Sequence, residues 1–259
     1  MKRILILIGC CLILLLVFSQ ETAKSPPLQK KGFSMEKATH TIVFPLRGEW
    51  YTETSPVDRV PSHGTDRFGL RYAFDFIQKD PTGSSHTAKS ADYLFTGISL
   101  DKYYCFGQPV YAPFDGEIVT LKNNTFDGDK ASWIHDQTTA IRHSLFFNPE
   151  QDGFETIAGN YVVIKQATGI YAAFCHLQKD SIAVTEGSSI QQGTYLGNVG
   201  HSGNSTEPHL HFQLMDSAII ETANGLPFVF DAYETYNGHS WELVKSQLPA
   251  AGERVRSIN

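Results

Sequence analysis

Cysteine is scarce in this chain: of 259 residues four are cysteine, and two of those, Cys10 and Cys11, lie close to the start. Cys105 and Cys175 are too few for a disulfide-dense scaffold. They read either as one bridge or, more simply, as two separate buried thiols, and their spacing makes no zinc knuckle. A basic stretch that could track a phosphate backbone is also missing. With 21 basic against 27 acidic residues the net charge is −6, which argues against a nucleic-acid partner. No long amphipathic helix is visible, and no His-Glu-x-x-His motif is present, so a zincin-type glutamate base is excluded.

What is present begins with Met1-Lys2-Arg3 and an almost unbroken apolar run over residues 4–18, the pattern of a charged n-region and an h-region. The run is short for a membrane span. Val17 and Ser19 are small enough for the −3 and −1 positions of a signal-peptidase site. Residues 1–19 are therefore expected to be a signal peptide or signal anchor of an exported protein, with the anchor form tethering it to the membrane. Residues 20–40, with Lys24-Ser25-Pro26-Pro27 and Lys30-Lys31, read as a linker.

The remainder is 41% hydrophobic as a whole chain, enough to bury one elaborated domain, expected over 41–235 with a C-terminal tail over 236–259. Short β-type runs recur at 41–46, 71–77, 109–112, 117–121, 160–166, 170–177 and 209–215, between Gly, Asn and Pro punctuation. The fold class is mainly β, an antiparallel sheet or sandwich with long loop insertions. The stretch 126–154 lacks a regular period and reads as a surface insertion with one short helix.

Two segments, 109–119 and 184–197, each carry an Asp-Gly or Glu-Gly turn between apolar-patterned strands. They resemble hairpins of biotinyl and lipoyl carrier domains, and Asp129-Lys130-Ala131 looks like a lipoyl-lysine turn. A carrier has no need of an export signal, however, and leaves the histidines unexplained.

Those histidines carry the chemistry. In Pro208-His209-Leu210-His211-Phe212-Gln213-Leu214, alternation puts His209, His211 and Gln213 on one strand face and Leu210, Phe212 and Leu214 on the other. Two imidazoles then overlook one cavity. A turn-like Ser62-His63-Gly64-Thr65 is followed by Arg71-Tyr72-Ala73-Phe74-Asp75-Phe76, in which the three aromatics face the core and Asp75 faces the other way. A carboxylate in that setting needs a partner. Asp66 competes with it as a ligand, and Asp75 is preferred. A third run, Tyr171-Ala172-Ala173-Phe174-Cys175-His176-Leu177, ends in His176. Tyr103, Tyr104, Trp133 and His201 are better read as ordinary packing than as groove residues.

These segments, with Gly200-His201-Ser202-Gly203-Asn204-Ser205-Thr206-Glu207 ahead of the His-x-His pair, resemble the lysostaphin-type zinc endopeptidases that cut peptidoglycan peptides, over roughly 44–230. The resemblance implies a duplicated hybrid motif fold, a bacterial cell-envelope setting and Zn2+ held by His63, Asp75 and His211. It also implies that His176 and His209 are catalytic and that the substrate is a peptidoglycan peptide. The first histidine and the aspartate of that family usually lie four residues apart and here lie twelve apart; a subgroup with an Arg/Thr-Tyr-Ala-x-Asp-Phe strand has the longer spacing. The alternative is a catalytically silent envelope protein that binds peptidoglycan or regulates another hydrolase.

Overall fold

The computed structural model describes residue 38 and residues 40–88, 92–93, 96–132 and 149–258. The expected signal segment, almost all of the linker and Trp133 lie outside these residues. Everything described belongs to one compact unit, Gly32–Asn259. Among the described residues no helix is long and apolar enough to cross a membrane.

The fold is mainly β. The strands are β1 (His40–Ile42), β2 (Glu49–Thr54), β3 (Phe74–Ile77), β4 (Ile98–Ser99), β5 (Pro109–Tyr111), β6 (Gly116–Lys122), β7 (Lys130–Ala131), β8 (Asn160–Lys165), β9 (Tyr171–Leu177), β10 (Ser189–Ile190), β11 (Tyr195–Asn198), β12 (Leu210–Met215), β13 (Phe228–Tyr236), β14 (Trp241–Gln247) and β15 (Arg254–Arg256). An α-helix, α1 (Pro149–Ala158), follows β7 and leads into β8. The main sheet runs β1-β13-β15-β2-β3-β12-β9-β8-β6-β10, with β14 also on β13. It is mixed rather than wholly antiparallel, because β1 lies parallel to β13.

The sheet separates two apolar layers, and period-2 alternation decides which residue enters which. Phe74, Phe76, Phe174, Phe212, Phe228 and Phe230 fill the larger layer. Phe74 and Phe76 stack with centroids 5.3 Å apart. The other face carries Phe68, Phe154, Tyr161, Ala173, Cys175 and Met215, with α1 covering it. Asp75, His211 and Gln213 project from this second face, beside the Phe68–Met215 layer rather than in the aromatic core.

Three expectations change. The two turn-bearing segments do not close hairpins on themselves: β11 pairs with β5 and β10 with β6, so each segment exchanges strands with the other. Lys130 lies within β7 beside β4, not at a turn tip as a carrier lysine would. The expected tail at 236–259 instead supplies β14 and β15, and β15 bridges β13 to β2.

Cys105 and Cys175 are separate free thiols, both buried. Burial pushes the Cys105 thiol up to about 12.

Gly159 links α1 to β8 with φ +67°, and a Cβ there would fall 2.4 Å from the Ser202 carbonyl carbon. Gly159→Ala combines backbone strain with a backbone clash, so it should destabilise by more than about 1 kcal/mol. A thermal melt checks this; an unchanged Tm would contradict the close approach of the 202 loop.

Candidate metal centre

The residues implicated by sequence arrive from separate elements. The antiparallel register of β3 and β12 sets Asp75 directly opposite His211, the cross-strand relation that brings same-facing side chains to about 5 Å. His63 comes from the preceding loop, which closes on itself where the Ser62 N–H donates to Arg71 O at 3.0 Å. Within that loop Phe68 and Gly69 take left-handed conformations, φ 60° and 73°, reversing the chain between His63 and Asp75. Strand β3 therefore starts only at Phe74, and Tyr72 belongs to the 3-10 turn Arg67–Tyr72 instead of the core face.

His63 Nε2 lies 2.9 Å from Asp75 Oδ2, and His211 Nδ1 lies 2.9 Å from Asp75 Oδ1. Donor atoms of these three residues all fall within 4.8 Å of one another, and among the described residues no other His, Cys, Asp or Glu group is so arranged. Asp66 is apart from them, exposed and paired with Arg71.

The surrounding hydrogen bonds fix what the ring nitrogens offer. Gln213 Nε2 donates to Phe68 O at 2.7 Å, so its Oε1, 2.9 Å from His211 Nε2, accepts a proton from that ring. That leaves His211 Nδ1 as a lone pair facing Asp75. Ser62 Oγ donates to Leu70 O at 3.1 Å and so accepts from His63 Nδ1, also at 3.1 Å, leaving the His63 Nε2 lone pair facing the other carboxylate oxygen. With neutral rings, acceptor meets acceptor at both contacts. A cation between them removes the conflict, and two imidazole nitrogens with a carboxylate make a donor set that Zn2+ accepts. Without a cation the conflict is relieved only by protonated rings, and in that form His63 and His211 outweigh the upward push of burial and hold the Asp75 carboxyl well below the usual carboxylate range.

Two further imidazoles stand beside this group. Centroids of His176 and His209 are 4.7 Å apart, and His209 Nε2 is 3.6 Å from Asp75 Oδ1. Both rings present Nδ1 to a backbone carbonyl, Ser202 O at 2.9 Å for His176 and Glu207 O at 2.8 Å for His209. A carbonyl only accepts, so each Nδ1 carries the proton and each Nε2 keeps its lone pair. Burial, with His209 and His211 nearby, pushes the His176 pKa well below 6.5 and keeps that ring neutral.

Alternation alone would send His176 into the aromatic layer with Ala172 and Phe174. The register between β8 and β9 shifts between Asn160 and Val162, and His176 itself has φ 61°. This bulge turns the ring out of the core, an arrangement common beside functional sites.

The segment 78–107, between β3 and β5, is fastened to the loop ahead of His209. Ser85 Oγ donates to Glu207 Oε2 at 2.7 Å, Tyr93 OH to Thr206 O at 3.2 Å and Cys105 Sγ to Pro208 O at 2.9 Å. Tyr103 is buried in a small cluster with Ile98 and Leu100, and Tyr104 OH reaches Asp80 at 3.5 Å. His201 is buried, with Nδ1 3.0 Å from Ser205 Oγ. The partners Ser205, Ser202 O and Glu207 O escape sequence reading, because two of the three act through the backbone.

Residues 149–223 match the family model described as Peptidase family M23. That span contains His176, His209 and His211 but not His63 or Asp75. The chain is 28% identical over 109 residues to peptidoglycan DD-endopeptidase ShyA of Vibrio cholerae, covering 42% of this chain and 18% of that protein. It is 36% identical over 81 residues to the DD-carboxypeptidase/endopeptidase Mpg of Neisseria meningitidis, covering 30% and 17%. The chain thus spans less than a fifth of either relative. Among solved structures, the catalytic domain of lysostaphin from Staphylococcus simulans aligns over 69% of this chain and 88% of that chain, at 18% identity and a TM-score of 0.34.

Proposed function

We propose, from the match of residues 149–223 to the peptidase family M23 model, that the chain is a zinc-dependent endopeptidase cutting peptide bonds of bacterial cell-wall peptidoglycan. The observation that carries this reading is the pair of imidazole lone pairs, His63 Nε2 and His211 Nδ1, aimed at the two oxygens of Asp75. Three protein ligands are the number found in catalytic zinc sites, where a fourth position is left for water or substrate. Zinc, when bound, supplies Lewis acidity for the scissile carbonyl and brings the acidity of water toward neutral pH.

The chain's own residues divide the remaining work. His63, Asp75 and His211 hold the ion. His176 and His209, each with Nδ1 committed to a carbonyl, keep Nε2 available to orient the attacking water and take its proton. The ring so charged hydrogen-bonds the oxyanion and then passes that same proton to the leaving amine. This pair stands where a His-Glu-x-x-His peptidase would use a glutamate. The name of ShyA supports peptidoglycan as the substrate, and the pattern of residues 1–19 supports export to the envelope, with a membrane tether if that segment is retained.

The test is incubation of the purified full chain with isolated sacculi, followed by mass spectrometry of the soluble products. Peptide release that a chelator stops and Zn2+ restores is expected, with paired new amino and carboxyl termini. A zinc-loaded chain that releases nothing would overturn the proposal.

Gln213 provides a milder check. Gln213→Leu removes the acceptor that holds the proton on His211 Nε2, and loss of such an outer partner typically weakens metal binding by about 10–100-fold. Competition with a chromophoric chelator measures it; an unchanged affinity would contradict the tautomer assignment.

A further inference from the structure

One buried carboxylate takes no part in the site described above. Asp127 is 9% exposed, and its two oxygens reach two separate segments. Oδ2 accepts the N–H of Lys179 at 2.8 Å, and Oδ1 accepts the N–H of His201 at 2.8 Å. Lys179 lies three residues beyond His176, whereas His201 and Ser202 open the loop that leads to His209.

We propose that Asp127 is a positioning residue, a clamp that joins the end of β9 to the 200–205 loop and so fixes the hydrogen-bond partners of both His176 and His209. The assignment rests on the reading of those two imidazoles as the proton-handling pair. Its geometry can be followed atom by atom.

On the His176 side, Gly200 N–H donates to His176 O at 2.9 Å. Gly200 has to be glycine for this approach, since a Cβ would lie 2.4 Å from both Asp127 Oδ1 and Gln178 N. Ser202 then completes the join. Its Oγ donates to Leu177 O at 2.8 Å and accepts the Asn160 N–H at 2.8 Å, while its carbonyl receives His176 Nδ1. On the His209 side, the His201 ring meets Ser205 Oγ at 3.0 Å. Ser205 Oγ donates to Glu207 O at 2.7 Å and lies 3.2 Å from His209 Nδ1. The carboxylate therefore holds the backbone from which both imidazole partners hang, while touching neither ring.

A carboxylate suits this place better than an amide. Two backbone N–H donors converge on it, one at each oxygen, and both oxygens accept, whereas an asparagine would turn an NH2 group toward one of the donors. Burial pushes the Asp127 carboxyl up from its ordinary value, against those backbone donors. None of the three ion-holding residues contacts Asp127, so losing the clamp should leave metal binding intact.

Asp127→Asn in the full chain tests this. Zinc content should match wild type and KM should stay within a few fold. A displacement of reacting groups by an ångström costs on the order of 10²-fold, so kcat should fall by about tenfold to a hundredfold. Nitrogen-15 spectra of the imidazoles should show His176 and His209 losing their Nδ1–H preference, a change that mere loss of stability in a still folded chain does not produce. Retained tautomers with kcat within about threefold of wild type would overturn the proposal. If the variant does not fold, amide exchange in the wild-type chain decides: Lys179 and His201 must be protected, and fast exchange at both overturns the clamp. A wild-type chain without peptidase activity would defeat the functional reading alone, since the imidazole spectra still decide the clamp.

Discussion

His211→Ala is expected to strip the chain of zinc and reduce peptide release to background. His211 is buried, 6% exposed, and no other described side chain replaces its Nδ1 opposite Asp75. Alanine leaves two protein ligands, one of them the half-buried Asp75. It also strands Gln213 Oε1, whose acceptor role is satisfied by His211 Nε2. Loss of an outer partner alone costs about 10–100-fold in affinity, so loss of a ligand should exceed about 100-fold. Elemental analysis after dialysis against a weak chelator should find the variant nearly metal-free while wild type retains its ion. His239→Ala, in the exposed turn at 237–240, is the control expected to change neither quantity. Retention of full zinc by His211→Ala would remove this residue from the ligand set.

The second large effect belongs to the rings outside that set. His176→Ala and His209→Ala should each keep zinc yet lower kcat by about 10²–10⁴, the range for a lost general acid–base group or oxyanion donor. The two rings lie with centroids 4.7 Å apart and use the same kind of support, a carbonyl on Nδ1. They are therefore expected to act as a unit, and the double variant should be little worse than the more damaged single one. Turnover of a defined cross-linked muropeptide, measured on preparations of known zinc content, separates the cases. If His209→Ala turns over within a few fold of wild type, its proton-handling role is wrong; if it loses zinc, it belongs with the ligands.

How much of this was legible depended on the range of the interaction concerned. Alternation in β12 and β3 placed His211, Gln213 and Asp75 on one face because side-chain direction in a strand is a local property. The twelve-residue separation of His63 and Asp75 looked anomalous until the left-handed pair Phe68 and Gly69 showed how the intervening chain reverses. His176 was found through its motif, since its strand position alone points into the core; only the bulge opposite Tyr161 brings it out. The Asp-Gly and Glu-Gly turns were visible, whereas the exchange of partners between β5, β6, β10 and β11 is a tertiary choice that turn chemistry does not encode. Residues 241–247 read as tail because most of β14 is exposed and its pattern lacks a buried face. Asp127 sat in a stretch without period, and its role depends on backbone groups more than fifty residues away.

The most direct test of the central claim is the zinc stoichiometry of the purified full chain, measured alongside peptide release on the same preparation. About one zinc per chain, with release that follows zinc occupancy through chelation and reloading, is the predicted result. A chain that releases peptides while free of zinc, or that binds no zinc when it is supplied in excess, would contradict the account.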